Sequence, residues 1–486
     1  MIKDENTESR DNAVINDAPA ADASSVKPKG ESERSDHHHG EHGHHSHHHS
    51  HHHSHHSHHG HHSHHGHHSH DGHHSHHSSS DKKRKKSKRR ASFRRFVKRN
   101  KMYIICAAVV LVAIVCLVFM AAHLDNNGGY PTDSDGPTLN LSDNLNISVP
   151  IFSEDVAVVG PAVEAYLGAG ATVSATDIYR IYYDEGDRFD IGVPVKLFYN
   201  ITGAPEGYTV KSVEFAVADN EELDSPYTVK ASGYKATVDV YNLKTGTKYY
   251  YSVNISFDNG TETAVSGSFK TATGPRLMNI AGVYNMRDIG GWVTEDGTVI
   301  NQGLLYRGCE IDGAIESTYA ITPDGVAVML NTLGIKTDMD LRNPDLTPNA
   351  RDVLGSGVEH IYYASPMYAE IFTSNSAAGR IRTIFSDLAD ESNYPIYMHC
   401  TYGQDRTGTV CYLLEALLGL SEEDLMKEYQ LSALFHGYQP MDDMNAFVEA
   451  FKSLEGETMS EKAEGYLLSI GVTAEEIASI RRIHLS

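Results

Sequence analysis

Read for its hydrophobic and polar positions, the 486-residue chain changes period several times. Residues 1–81 repeat at neither the helical nor the strand period. A segment of that composition cannot bury enough apolar area to offset its conformational entropy, so it is expected to be disordered. From Met102 to Ala122 the run MYIICAAVVLVAIVCLVFMAA is apolar on every face for 21 residues, without charge or proline. At 1.5 Å per residue it matches a hydrocarbon core about 30 Å thick and predicts a transmembrane helix over 102–122. Residues 123–150, rich in Asp, Asn, Gly, Pro and Ser, read as a linker. Strict alternation follows in Val193, Val195 and Leu197, in Val213, Phe215 and Val217, in Val238 and Val240, and from Tyr249 to Phe257. Such runs predict half-buried strands at the spacing of a β-sandwich over 151–274. From residue 275 onward, strand-like runs such as Lys336–Leu341 and Tyr394–His399 mix with helical ones such as Thr407–Leu420, which predicts one α/β domain over 275–486.

Charge sharpens this division. The chain has 41 Lys+Arg and 64 Asp+Glu, a net charge of -23. Residues 1–101 hold 18 basic and 12 acidic side chains (+6), and residues 123–486 hold 23 and 52 (-29). Residues 82–101 carry 13 Lys/Arg, whereas 123–150 carry none, so the positive-inside rule puts the N-terminus in the cytoplasm and residues after 123 on the extracytoplasmic side of a cell membrane. The acidic C-terminal part repels polyanions at long range, which excludes nucleic acid as its partner and requires a locally positive pocket for any anionic substrate. Of the 32 His, 27 lie between His37 and His77. They read as part of a solvated low-complexity tail over 1–101 that binds metal adventitiously.

In the sandwich region, NLKTGTKYYYSVNI places Leu243 six residues before Tyr249, across a turn at Thr245 and Gly246. It resembles the tyrosine corner of a fibronectin type III domain, in which a Tyr hydroxyl bonds back to the preceding loop. The strand pattern shows packing and no recognition chemistry, and a spacer role is expected of it.

The richest string is HCTYGQDRTG, residues 399–408, between the strand-like PIYMH and the helix-like TVCYLLEALLGL. Five residues turning from a strand into a helix can direct the backbone N–H groups of Thr401, Tyr402, Gly403, Gln404, Asp405 and Arg406 inward as a nest at the positive end of a helix dipole, which suits a phosphate. The same field favours a thiolate at Cys400, a nucleophile near neutral pH. Arg406 can grip two phosphoryl oxygens with its planar fork, and Thr407 can donate its hydroxyl to the sulfur as it leaves. A leaving oxygen needs a proton; Asp405 is the nearest acid, and Asp340 in TDMDLRNP is a second candidate or an ion-pair buttress for Arg406. His399 reads as a residue that orients the loop and tunes the thiolate. The sequence leaves open whether Cys309 and Cys400 pair. No cofactor and no catalytic metal are called for.

On these residues, with NMRDIGG (285–291), GLLYRG (303–308), IKTDMDLRNP (335–344), LLGLSEEDLMKEYQLS (417–432) and GVTAEEIASIRR near the end, residues 275–486 resemble the bacterial tyrosine phosphatases of the cysteine-dependent superfamily. The resemblance implies a protein-tyrosine phosphatase acting on phosphotyrosyl proteins or other phosphomonoesters, with Cys400 as nucleophile, Arg406 as phosphate ligand and Asp405 as the acid. Relatives often carry Lys before the loop Asp, where this chain has Gln404. Losing that cation turns the expectation from a phosphoinositide phosphatase toward phosphotyrosine. A catalytically silent phosphate-binding surface receptor is the alternative from another class. The expected fold class is a multi-domain, membrane-anchored chain with an α/β cysteine-phosphatase domain at its C-terminus, a β-sandwich before it, a disordered tail and one transmembrane helix.

Overall fold

The computed structural model describes residues 139–140, 145–170, 173–183 and 188–485. The membrane-anchored architecture, with its single-pass location and extracytoplasmic domain, is corrected: among the described residues no helix is long and apolar enough to cross a membrane. The longest, Asn375–Leu388 and Asp405–Leu418, have 14 residues each, a rise of about 21 Å against a hydrocarbon core of about 30 Å. The stretch 102–122, like the tail and its His tract, lies outside the described residues.

Two antiparallel sheets form the sandwich, and one of them begins inside the stretch 123–150 expected to be a linker. Strands β1 (Leu139–Asn140) and β2 (Asn146–Ser148) begin one sheet. Helices α1 (Pro161–Leu167) and α2 (Ala175–Tyr182) intervene. Then come β3 (Val195–Thr202), β4 (Val210–Ala218), β5 (Tyr227–Ala231), β6 (Lys235–Val240), β7 (Lys248–Phe257) and β8 (Glu262–Lys270). The sheets run β1-β2-β3-β6 and β5-β4-β7-β8, all antiparallel. Val195, Leu197, Val213, Phe215, Val253 and Ile255 fill the space between them. Lys244 N donates to Tyr249 Oη at 2.8 Å, the back-bond of a tyrosine corner.

The C-terminal sheet has six strands: β9 (Arg276–Leu277), β10 (Arg287–Asp288), β11 (Leu305–Gly308), β12 (Thr337–Asp340), β13 (Glu359–Tyr362) and β14 (Ile396–His399), in the order β13-β12-β14-β11-β10-β9. The four strands from β13 to β11 are parallel, and β10 and β9 add antiparallel. Helices α3 (Pro323–Asn331), α4 (Asn375–Leu388), α5 (Asp405–Leu418), α6 (Glu422–Gln430), α7 (Ala433–His436), α8 (Met441–Lys452), α9 (Met459–Ser469) and α10 (Ala474–Leu485) complete the domain. Helix α5 is buried along nearly its whole length, which explains why 407–420 reads as apolar on all sides.

Two features were not legible in the alternation. Helices α1 and α2 lend Ala162, Val163, Tyr166 and Ile178 to the core of the C-terminal domain, although they lie between sandwich strands β2 and β3 in sequence. The sandwich is also tied to that domain by polar bonds: Arg276 donates to the carbonyls of Asn242 (2.6 Å) and Leu243 (3.2 Å). Gln302 bonds the backbone of Thr245 reciprocally, accepting from its N–H and donating to its carbonyl, both at 2.9 Å.

Candidate active site

The C-x5-R string lies at the C-terminal end of the central strand β14 and leads directly into α5, the place where a parallel sheet presents loop backbone to a ligand. Its carbonyls are held from outside. Thr401 O accepts from Glu310 N at 3.0 Å, Tyr402 O from Asn285 Nδ2 at 2.9 Å and from Cys309 Sγ at 3.2 Å, and Gly403 O from Arg307 Nη2 at 2.8 Å. Among the described residues, no acceptor bonds the N–H groups of Thr401 to Arg406. A turn whose acceptors are occupied and whose donors are free, at a helix N-terminus, is suited to an anion. Gly403 makes this path possible: its φ is +65°, and a Cβ there would lie 2.3 Å from the carbonyl oxygen of Gly308.

The guanidinium that holds Gly403 is itself fixed. Arg307 Nη1 and Arg287 Nε each bond one oxygen of Glu428 at 2.6 Å, and Arg287 Nη1 bonds Asn285 Oδ1 at 2.7 Å. All three charged groups are fully buried. Burial pushes the Glu428 carboxyl up, but Arg287 and Arg307 outweigh it and hold it below the ordinary range. Asn285 adopts a left-handed φ of +51°, and its N–H donates to Asp190 at 2.7 Å, so the segment between β2 and β3 also braces the loop.

Cys400 is 2% exposed, and Cys309, Cys400 and Cys411 are free thiols. Burial, then the neighbouring Cys400, push the Cys309 thiol well up, so it stays a protonated donor to Tyr402 O. Arg406 is half-buried and makes no ion pair among the described residues. Asp405, also half-buried, accepts a hydrogen bond from the Tyr368 hydroxyl, which in turn lies 2.8 Å from Tyr429 Oη. Tyr368 is anchored by its N–H to Thr409 Oγ1 at 2.8 Å, and its φ of +51° is unusual for a bulky side chain. Thr407 Oγ1 is buried and has no hydrogen-bond partner.

Asp340 is placed elsewhere than beside Arg406. Arg342 bonds both its oxygens, at 2.9 and 2.6 Å, and also bonds Glu310 and Asp312. Burial raises the Asp340 carboxyl, but His399 and Arg342 together bring it below the ordinary range. His399 Nδ1 lies 3.2 Å from Cys400 O, and its Nε2 lies 3.0 Å from Asp338 Oδ1, close enough for an ion pair but not aligned for a hydrogen bond. Burial lowers His399, but Asp340 and Asp338 outweigh it and raise it to about 9. Gln404 is buried and donates to Tyr438 O at 3.3 Å. Tyr402 is 40% exposed, with its ring edge-on to Tyr319 and His436. Sequence reasoning missed the roles of Arg307, Glu428 and Tyr368; the charge of Arg307 within the otherwise apolar GLLYRG was the available signal for the first.

Residues 278–486 match the model of the tyrosine phosphatase family. Over 196 residues the chain is 25% identical to a tyrosine-protein phosphatase of Nostoc commune, covering 31% of this chain and 67% of the relative. Over 172 residues it is 24% identical to a Cupriavidus necator protein that carries a tyrosine-protein phosphatase name, covering 30% of this chain and 59% of that relative. A solved core catalytic domain of a PP-IP phosphatase from S. cerevisiae is 15% identical, covering 34% of this chain and 91% of its own, with a TM-score of 0.21, too low to bear on the fold. The C-terminal domain is thus similar to the tyrosine phosphatase family, and that likeness supports phosphatase activity in this part of the chain.

Proposed function

We propose that residues 275–486 hydrolyse phosphomonoesters, aryl phosphates of phosphotyrosyl proteins first among them, through a phosphocysteine intermediate. The observation that carries this reading is the turn at 400–406, with every carbonyl from Thr401 to Gly403 bonded outward and, among the described residues, its N–H groups free beside an Arg406 without an ion pair. In the first step Cys400 thiolate attacks phosphorus while the ester oxygen leaves, taking a proton from the Asp405 carboxyl. Arg406 and the loop N–H groups hold the equatorial oxygens as charge moves through the transition state. In the second step water attacks the phosphocysteine, Asp405 takes its proton, and the sulfur departs as thiolate with the Thr407 hydroxyl turned toward it. Tyr368 keeps Asp405 aimed at the leaving group.

Phosphotyrosine is favoured over inositol lipids because Gln404 gives no charge for additional phosphates and spends its amide on Tyr438, whereas Tyr402, Tyr319 and His436 supply aromatic contacts beside the turn. The test compares turnover of p-nitrophenyl phosphate, a phosphotyrosyl peptide and phosphoinositide vesicles by the full chain and its Cys400→Ser variant. Turnover of the first two, abolished in Cys400→Ser, is expected; full retention in that variant contradicts the mechanism, and preference for the vesicles contradicts the substrate class.

A further inference from the structure

We propose that Asp338, His360 and His399 bind a divalent transition-metal ion of the zinc class, at a site distinct from the phosphate cradle. Strand register brings the three together: Asp338 pairs with His360, Asp340 pairs with His399, and residues 338 and 340 point to the same face of the sheet. One ligand atom from each lies within 4.8 Å of the others. His399 Nε2 is 3.0 Å from Asp338 Oδ1, and His360 Nε2 is 3.6 Å from Asp338 Oδ2. A tetrahedral ion bound at about 2.0–2.1 Å has ligand-to-ligand edges of about 3.3 Å, near these two separations and within the 4.8 Å spread of the three ligand atoms.

The polar accounting points the same way. Among the described residues, Asp338 Oδ1, His360 Nε2 and His399 Nε2 are all buried without a hydrogen-bond partner, a costly arrangement for three groups facing one another. An imidazolium at His399 beside Asp338 accounts for one contact and leaves His360 Nε2 without a hydrogen bond, 3.6 Å from Asp338 Oδ2 and 3.9 Å from Asp340 Oδ2. A cation accounts for all three, with water in the fourth position.

The surroundings are those of a metal ligand set. His399 Nδ1 lies 3.2 Å from the Cys400 carbonyl, and donating there leaves Nε2 with its lone pair toward the site. Tyr397 stacks on the His399 ring, and Tyr362 packs on that of His360. Asp340 stays outside the ligand set because Arg342 holds it. His360 stands on the edge strand β13 with its side chain 10% exposed, which gives the ion a way in. Because His399 precedes Cys400 and bonds its carbonyl, an ion here is linked directly to the nucleophile loop.

The 27 His of residues 37–77 offer further imidazole ligands, so the test compares chains carrying the same tail. Co2+ is titrated into the full chain and into its His360→Asn and Asp338→Asn variants, with visible absorption as the readout. The full chain is expected to show the intense bands of tetrahedral Co2+. Both variants lose them and keep the weak background of the tail, and His360→Asn retains its metal-free phosphatase turnover. Identical spectra in all three chains overturn the site. Crystals grown with Zn2+ decide independently of variant folding: an anomalous peak within about 2.2 Å of the three ligand atoms is expected, and its absence while the tail is saturated overturns the proposal. Neither result depends on whether the chain turns over phosphoesters.

Discussion

Glu428 and Asp338 are both buried carboxylates one side chain removed from the phosphate loop, the first through Arg307 and Gly403, the second through His399 and Cys400. Around Glu428 each carboxylate oxygen carries a guanidinium, Arg287 also reaches Asn285, and of these three charged groups Arg307 Nε alone lacks a partner among the described residues. Around Asp338, three atoms able to ligate a cation face one another with no aligned hydrogen bond among them. A saturated cluster fixes backbone geometry and has nothing further to bind; an unsaturated one is poised to take a partner. The loop draws on both, one holding its carbonyls and the other standing next to Cys400.

The widest separation between the clusters is expected in stability. Glu428→Gln leaves two buried guanidinium groups without their counter-charge and should cost about 3–5 kcal/mol, whereas His360→Asn, on the edge strand, should cost less than about 1 kcal/mol in metal-free buffer. Urea unfolding followed through Trp292, the single Trp and part of the C-terminal core, measures both, and equal costs would erase the distinction.

A pH series sharpens it further. His484 is buried, and burial lowers it to about 4. The unfolded side chain titrates near 6.5, so the unfolded state binds the proton first. The stability this neutral imidazole confers is present above about pH 6.5 and is lost as pH falls toward 4, about 3 kcal/mol over that window. Glu428, also held down in the folded state, gives up its contribution only at lower pH, as it protonates. Urea midpoints at pH 7, 5.5 and 4.5 in the parent and in His484→Gln should converge as pH falls; parallel curves would remove His484 from this account.

Two smaller effects test the geometry of the loop itself. Gly403→Ala places a methyl against the Gly308 carbonyl at a positive φ and should lower turnover by about 100-fold, some 2.7 kcal/mol of transition-state stabilisation. Tyr368→Phe removes one hydrogen bond to Asp405 and should lower turnover by up to about tenfold, with the change confined to the limb of the pH profile that reports the acid. A uniform loss at every pH would instead make Tyr368 a packing residue.

The loop was readable in the sequence because its chemistry is local: His399 to Gly408 is one uninterrupted string between an apolar strand and an apolar helix. What holds the loop was not, because Arg307 and Tyr368 reach it across 96 and 37 residues, and Glu428 fixes Arg307 from 121 residues away. Asp338 and Asp340 lie two residues apart on one face of β12, but only the register of β12 with β13 and β14 places His360 and His399 beside them. The sandwich strands were legible from period two. Helices α1 and α2 escaped because they are short, carry small or mixed side chains and find their partners in a domain that begins a hundred residues later.

The central claim, that sulfur at residue 400 carries the phosphoryl group between ester and water, is tested by rapid quench of the full chain with a labelled phosphotyrosyl peptide, followed by digestion and mapping of the label. The account predicts a transient adduct on Cys400, up to one per chain, that is absent in Cys400→Ser. Phosphate release at the parental rate with no label on Cys400 at any time would contradict it.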